Sequence, residues 1–168
     1  MEEVTGSKNF VFNSPLEIAL RLIFVLNRTS RPLDLQRLIY YNYLLVHSAD
    51  IPDSPKSIHA DLPRRSCEML VNRDVVKKGL MLLLLKGLIG VEYSKEDGIQ
   101  YKRNDNTESF AKYFESVYSK QLKERADWLC SNFDDFDDKR LAQLIESNIG
   151  KWGSEFSVIY DELDDSDA

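Results

Sequence analysis

Residues 79–103 read GLMLLLLKGLIGVEYSKEDGIQYKR, and this stretch constrains the fold more than any other. Its first block has no polar residue between Gly79 and Leu85, so it suits a helix buried on most sides. Gly87 then supplies a helix stop. LIGVEY and GIQYKR each alternate in the strand sense around SKEDG, which predicts a hairpin. A helix lying in a DNA groove could not be this apolar, so the block is read as a strut of the core.

The rest of the chain reads mainly as helix. NSPLEIALRLIFVLNR predicts a first helix: Ser14 is a good N-cap, Pro15 suits the first position, and Glu17 stands where a capping-box partner belongs. Leu16, Ala19, Leu20, Ile23 and Leu26 form its stripe, widened by Ile18, Leu22 and Val25. SRPLDLQRLIYYNYLLVHS predicts a second helix. Residues 49–66 hold three prolines and no periodicity, and predict an ordered loop with a job, since loops of this length are uncommon. CEMLV (67–71) reads as a short strand. A third helix follows, capped by Asn72 with Asp74 in its first turn.

After the hairpin, NDNTES predicts the cap of one long helix from Thr107 to Asn132, with Phe110, Tyr113, Phe114, Val117, Tyr118, Leu122 and Leu129 on its apolar face. A shorter helix is expected to end at Gly150. The element order is mainly α (α+β): a winged helix-turn-helix-like domain with a small hairpin wing, over 13–105, and a C-terminal two-helix extension, over 106–160. Residues 1–12 read as a loose arm. The tail 161–168, with five acids in eight residues, reads as disordered.

Charge bears on partners. The net charge is −6. Residues 1–120 carry 17 Lys/Arg against 15 Asp/Glu, and residues 121–168 carry 5 against 13. Residues 56–103 carry 10 against 6, a local basic excess that suits weak phosphate contact at most. No apolar run is long enough to span a membrane. Two distant cysteines, Cys67 and Cys130, suit a reducing cytoplasm.

Candidate contacts follow from these faces. Arg64, Arg65, Arg73, Lys77, Lys78, Lys102 and Arg103 are the cations placed to meet a partner or phosphate. Past Arg73 the third helix offers no Arg, Asn or Gln for base edges, so sequence-specific reading of DNA is disfavoured. Arg73, Lys77, Met81 and Leu84 share one helical face that is half basic and half apolar, which suits a protein partner. Ile51 and Ile58, with Leu62, are expected as apolar anchors in the proline-rich loop, and Trp152 and Phe156 as anchors near the end. Trp128 and Trp152 could equally lock the last helices onto the core. His47, Asp50, His59 and Cys67 match no zinc spacing, and the histidines are read as fixing the loop. No nucleophile elbow, phosphate-cradling loop or metalloprotease motif occurs. The carboxylates of DDFDD (134–138) read as a solvated helix cap. No enzyme, cofactor or metal is expected.

Five stretches carry a resemblance: FNSPLEIALRLIFVLN; PLDLQRLIYYNYLLVHSADIP; Pro55, Ser57 and His59 in P-x-S-x-H; LPRRSCEMLVNRDVVKKGLMLLLLKGLI; and WGSEF near the end. Together they resemble the small middle component of bacterial ABC-three-component systems, over about residues 12–156. Phe12–Leu26 and His47–Leu88 are its specific parts. Cys67 departs from that pattern, which has glycine there, and this argues against a role as a metal ligand. The resemblance implies a non-catalytic adaptor that joins an SMC-like ABC ATPase to an effector, often a nuclease, as in Lamassu-type anti-phage and anti-plasmid defence. The charge balance leaves only indirect or weak contact with DNA as an expectation, and no membrane contact is expected. A winged-helix transcription regulator is the alternative.

Overall fold

The computed structural model describes residues 13–61 and 65–148, and for 65–71 the backbone alone. The N-terminal arm, Leu62, Arg64, Trp152, Phe156 and the acidic tail lie outside the described residues, as do the side chains of Arg65 and Cys67.

Helix α1 (Pro15–Arg28) is the central post, with every residue from Ile18 to Leu26 except Leu20 buried. Ser14 caps it, its side chain accepting from Glu17 N at 3.2 Å. Glu17 does not complete a capping box. Its Oε1 accepts instead from Arg21 Nη2 at 2.7 Å. Leu16, expected on the stripe, is exposed.

Helix α2 (Leu35–Val46) begins later than the sequence pattern indicates, because Leu33 is spent in a β-bridge to Tyr101 and Asp34 takes the cap, accepting from Arg37 N at 2.7 Å. Helix α3 (Arg65–Leu85) absorbs CEMLV, so the short strand expected there does not exist. Asn72, expected as the cap, is buried inside this helix. Four apolar residues and one glutamate over five positions are too few to decide the period, and the neighbouring sheet has no place for another strand on its Leu33 side. The helix ends where Gly87 reaches φ 65°, with Leu88 N donating to Leu83 O and Gly87 N to Leu84 O. This double bond satisfies the last carbonyls.

Gly79 sets the distance between α1 and α3. A Cβ there would lie 3.1 Å from Ala19 N and 3.2 Å from Pro15 O, so the two backbones touch only because it has no side chain.

Strands β1 (Ile89–Ser94) and β2 (Gly98–Arg103) form the expected antiparallel hairpin, with Val91 opposite Tyr101 and Tyr93 opposite Ile99. The single long helix expected next is two. Helix α4 (Asp105–Ala111) opens with a capping box between Asn104 and Thr107. Helix α5 (Val117–Phe133) restarts on Ser116, which accepts from Ser119 N at 3.1 Å. Phe114, in the break, turns edge-on to Phe24 and Phe110, while Tyr113 and Val117 face outward rather than into the core. Residues 138–148 form α6, capped by Asp137, whose carboxylate accepts from Arg140 N at 2.7 Å.

Helices α2, α3 and α5 pack around α1, and Leu122, Ala126, Leu129 and Cys130 of α5 enter the same core as α1. The chain is thus a mainly helical, winged-helix-like fold with a two-stranded hairpin and further helices behind it.

Candidate functional site

The C-terminal helices are held by a buried polar seam. Arg37, almost wholly enclosed on α2, donates through Nη1 to Phe133 O at 3.2 Å and through Nη2 to Phe136 O at 2.6 Å and Asp138 Oδ1 at 2.8 Å. These carbonyls lie at the end of α5 and in the turn to α6, so one guanidinium caps that corner. Asp134 sits beside it. It accepts from Thr29 Oγ1, Ser30 N and Tyr41 Oη, each at 3.0 Å. DDFDD is therefore only partly the solvated cap expected: Asp134 is buried, because three donors from α2 and the turn before it converge on it. Burial, with Asp134 adding to it, pushes the Tyr41 hydroxyl well above its ordinary range.

A second cluster pins the proline-rich loop. Ser48 Oγ donates to Pro55 O at 2.9 Å, Ala49 N to Ser57 Oγ at 3.1 Å, and Ile58 N and His59 N both to Val46 O at 3.0 Å. His59 Nε2 lies 2.8 Å from Tyr118 Oη on α5, and the two rings lie nearly parallel, end to end, with 6.0 Å between centroids. Tyr118 Oη in turn donates to Glu17 Oε1 at 2.9 Å. Pro55, Ser57 and His59 thus fold the loop onto α2 and α5. Ile51 is buried and Ile58 packs against the core, so within the described residues these two do not form an exposed anchor. Among the described residues no group of three or more His, Cys, Asp or Glu is placed to hold a metal.

Burial pushes the Tyr118 hydroxyl up to about 12. The folded state then holds this proton more tightly than the unfolded state, whose tyrosines titrate near pH ~10. The resulting stability is complete below that pH and is lost as pH rises toward the folded value. The urea midpoint is expected to fall above about pH 10, and to fall less steeply in Tyr118→Phe. Equal slopes in the two proteins would sink this assignment.

The wing is where apolar surface is left over. Leu33 N donates to Tyr101 O at 2.9 Å and Tyr101 N to Leu33 O at 2.8 Å, so the Tyr101 backbone points away from β1. Its partner Val91 is then in a non-hydrogen-bonded pair, and the Val91 N–H and C=O point away from β2. The two-residue period gives Tyr93 the same direction. Nothing among the described residues pairs with β1 on that side. The side chains repeat the pattern. Ile89 and Tyr101 reach into the core, whereas Val91, Tyr93 and Ile99 on the same face are 44%, 73% and 56% exposed. The opposite face is polar, and Lys102 Nζ is 2.8 Å from Glu92 Oε2 across it.

The expected cations divide. Lys102 is paired as above, and Arg103 reaches Glu108 Oε2 at 3.4 Å and Asn27 O at 3.2 Å. Arg73 donates to Gln36 Oε1 at 3.2 Å. Lys77 and Lys78 are exposed and make no ion pair among the described residues. Met81, with Leu85 beside it, is exposed on the same side of α3, and Leu84 is half-buried. Arg73, Lys77, Met81 and Leu84 therefore lie on one accessible arc.

Over residues 11–155 the chain matches the family described as ABC-three component (ABC-3C) system Middle Component 2. The chain belongs to this family. No curated protein and no solved structure matches it. A middle component of a three-component system has partner components. Among the described residues of this middle component, the basic and apolar arc of α3 and the outer half of the wing are left exposed. Val91, Tyr93 and Ile99 are absent from the residues singled out by charge and aromatic content. The alternation in GVEY and GIQY carried the signal. No helix of the described residues is long and apolar enough to cross a membrane.

Proposed function

We propose that this middle component is a non-catalytic adaptor that joins an SMC-like ABC ATPase to an effector subunit, a nuclease, in a Lamassu-type anti-phage and anti-plasmid defence complex. The family supports the three-part assembly, and the sequence resemblance supplies the classes of the other two parts. The observation that carries the adaptor role is the wing, where a strand edge unpaired among the described residues lies beside three exposed apolar side chains. An exposed apolar face rimmed by polar residues is the mark of a protein contact.

The competing reading, a winged-helix regulator of transcription, draws support from Lys77 and Lys78. It is weakened by Lys102 and Arg103, which are committed to Glu92 and Glu108 where a DNA-binding wing would offer them to phosphate. Tagging this chain in cells that express the whole three-component system is expected to recover both other components with it. Recovery of the chain alone, together with a salt-sensitive shift of duplex DNA by the isolated chain, would favour the regulator.

A further inference from the structure

The outer edge of β1 lacks the devices that usually keep a strand edge unpaired. Ile89–Ser94 holds no proline and no lysine, and its register with β2 runs without a bulge. Val91 and Tyr93 direct their N–H and C=O groups outward, with no backbone partner among the described residues. Their side chains stand exposed on one face, with Ile99 paired beside Tyr93. The edge therefore offers main-chain hydrogen bonds together with an apolar strip of two-residue period, which is what an added strand requires.

Glu92 decides between occupants. It lies between Val91 and Tyr93 on the opposite face, with its side chain 42% exposed. Its Oε2 accepts from Lys102 Nζ at 2.8 Å, and its Oε1 has no partner among the described residues. A second copy of the wing fits this edge poorly. In a two-fold antiparallel pair, the register that sets Val91 against Tyr93 also sets Glu92 directly against its own copy. That pair is a non-hydrogen-bonded one, where side chains approach most closely and like charges destabilise. A shift of two residues either way leaves Val91 facing Lys95, beyond the end of β1, or Tyr93 facing the buried Ile89. A strand with a lysine or arginine opposite Glu92 meets instead a carboxylate oxygen open to it.

We infer that the wing takes up an extended segment of a partner component as a third strand beside β1. The segment reads apolar–cation–apolar, with its cation on Glu92 and its apolar side chains beside Val91 and Tyr93. The inference rests on the adaptor reading and gives it a binding mode. Main-chain bonds hold the segment, side chains select it, and Glu92 keeps two copies of the wing apart.

A photo-crosslink from Tyr93→p-benzoylphenylalanine in the assembled three-component complex, mapped by mass spectrometry, tests the occupant. The product is expected on one peptide of a partner component, with Lys or Arg between two apolar residues. Val91→Pro tests the mode. Proline there removes an N–H that points away from β2, so the hairpin is kept and the isolated chain is expected to unfold within a few degrees of wild type. Retention of the partner is expected to fall about tenfold, the scale of one lost hydrogen bond, and to stay within about threefold in Val91→Ile. Glu92→Lys is expected to lower retention by a similar factor, against less than about threefold for Lys102→Ala, which breaks the same exposed pair without reversing the charge. Crosslinks within one chain, between two copies, or on a peptide without the cation would overturn the inference, as would full retention by Val91→Pro. In each of those cases the wild-type chain still brings down its partners. A wild-type chain that brings down none removes the adaptor reading itself, and the inference with it.

Discussion

Replacing Arg37 by methionine is expected to destabilise the chain by about 3 kcal/mol. The side chain is of similar length, so the loss is not mainly one of packing. What goes is a buried fork of donors. Phe136 O loses its side-chain partner, Phe133 O keeps only the bond from Phe136 N at 3.0 Å, and Asp138 loses a 2.8 Å contact. The ion pair itself contributes little, because the Asp138 side chain is largely in solvent. The penalty comes from leaving Phe136 O unmatched, and Phe133 O with one donor fewer, at a corner that water reaches poorly. For a chain of this size the loss corresponds to a drop in Tm of roughly 6–12 °C. Arg37→Lys is expected to recover less than half of it, since a single ammonium cannot reach both carbonyls and the carboxylate in the planar geometry a guanidinium offers. Thermal unfolding of the three proteins decides the matter. A methionine variant within about 1 kcal/mol of wild type would show that the corner does not depend on this cap.

The second large effect is expected at the wing. Val91→Asp with Tyr93→Asp is expected to weaken retention of the partner components by about a hundredfold or more, because tyrosine and its apolar neighbours in a closed interface are the residues that carry binding energy. Both side chains are exposed in the chain alone, so the variant should unfold within a few degrees of wild type. Lys102→Ala lies on the other face of the same hairpin and removes only an exposed pair with Glu92. It is expected to change retention by less than about threefold. Binding measured by pull-down at graded concentrations separates the two. Equal losses from both faces would mean that the hairpin matters only as a whole.

Much of this fold can be read from short-range patterns. The S-P-x-E start of α1, the Gly87 stop and the two alternating runs of the hairpin each have a local physical cause, and each appears where the pattern puts it. The failures also have causes. CEMLV is apolar but for Glu68 and too short to show a period, so it fits helix or strand equally. The break at Lys112–Ser116 hides inside a run that keeps helical spacing, and it is set by Ser116 capping and by Phe114 finding Phe24. The polar seam could not be foreseen. Arg37 and Asp134 look like ordinary surface charges until donors and acceptors about a hundred residues away converge on them.

The candidate surface was half legible in the same way. The shared arc of Arg73, Lys77, Met81 and Leu84 follows from helical spacing alone. That one face of the wing is apolar follows from alternation. Which half of that face stays open depends on Leu33 pairing with Tyr101 across a distant loop, and no local pattern announces that pairing.

Hydrogen exchange at β1 tests the central claim most directly. In the chain alone the Val91 and Tyr93 amides point away from β2 with no backbone partner among the described residues, and they are expected to exchange at nearly the rate of an open peptide. In the assembled three-component complex both are expected to slow by at least about a hundredfold, as a partner closes the strand edge. Unchanged exchange at both amides in an intact complex would show that the wing is not where this middle component meets its partners.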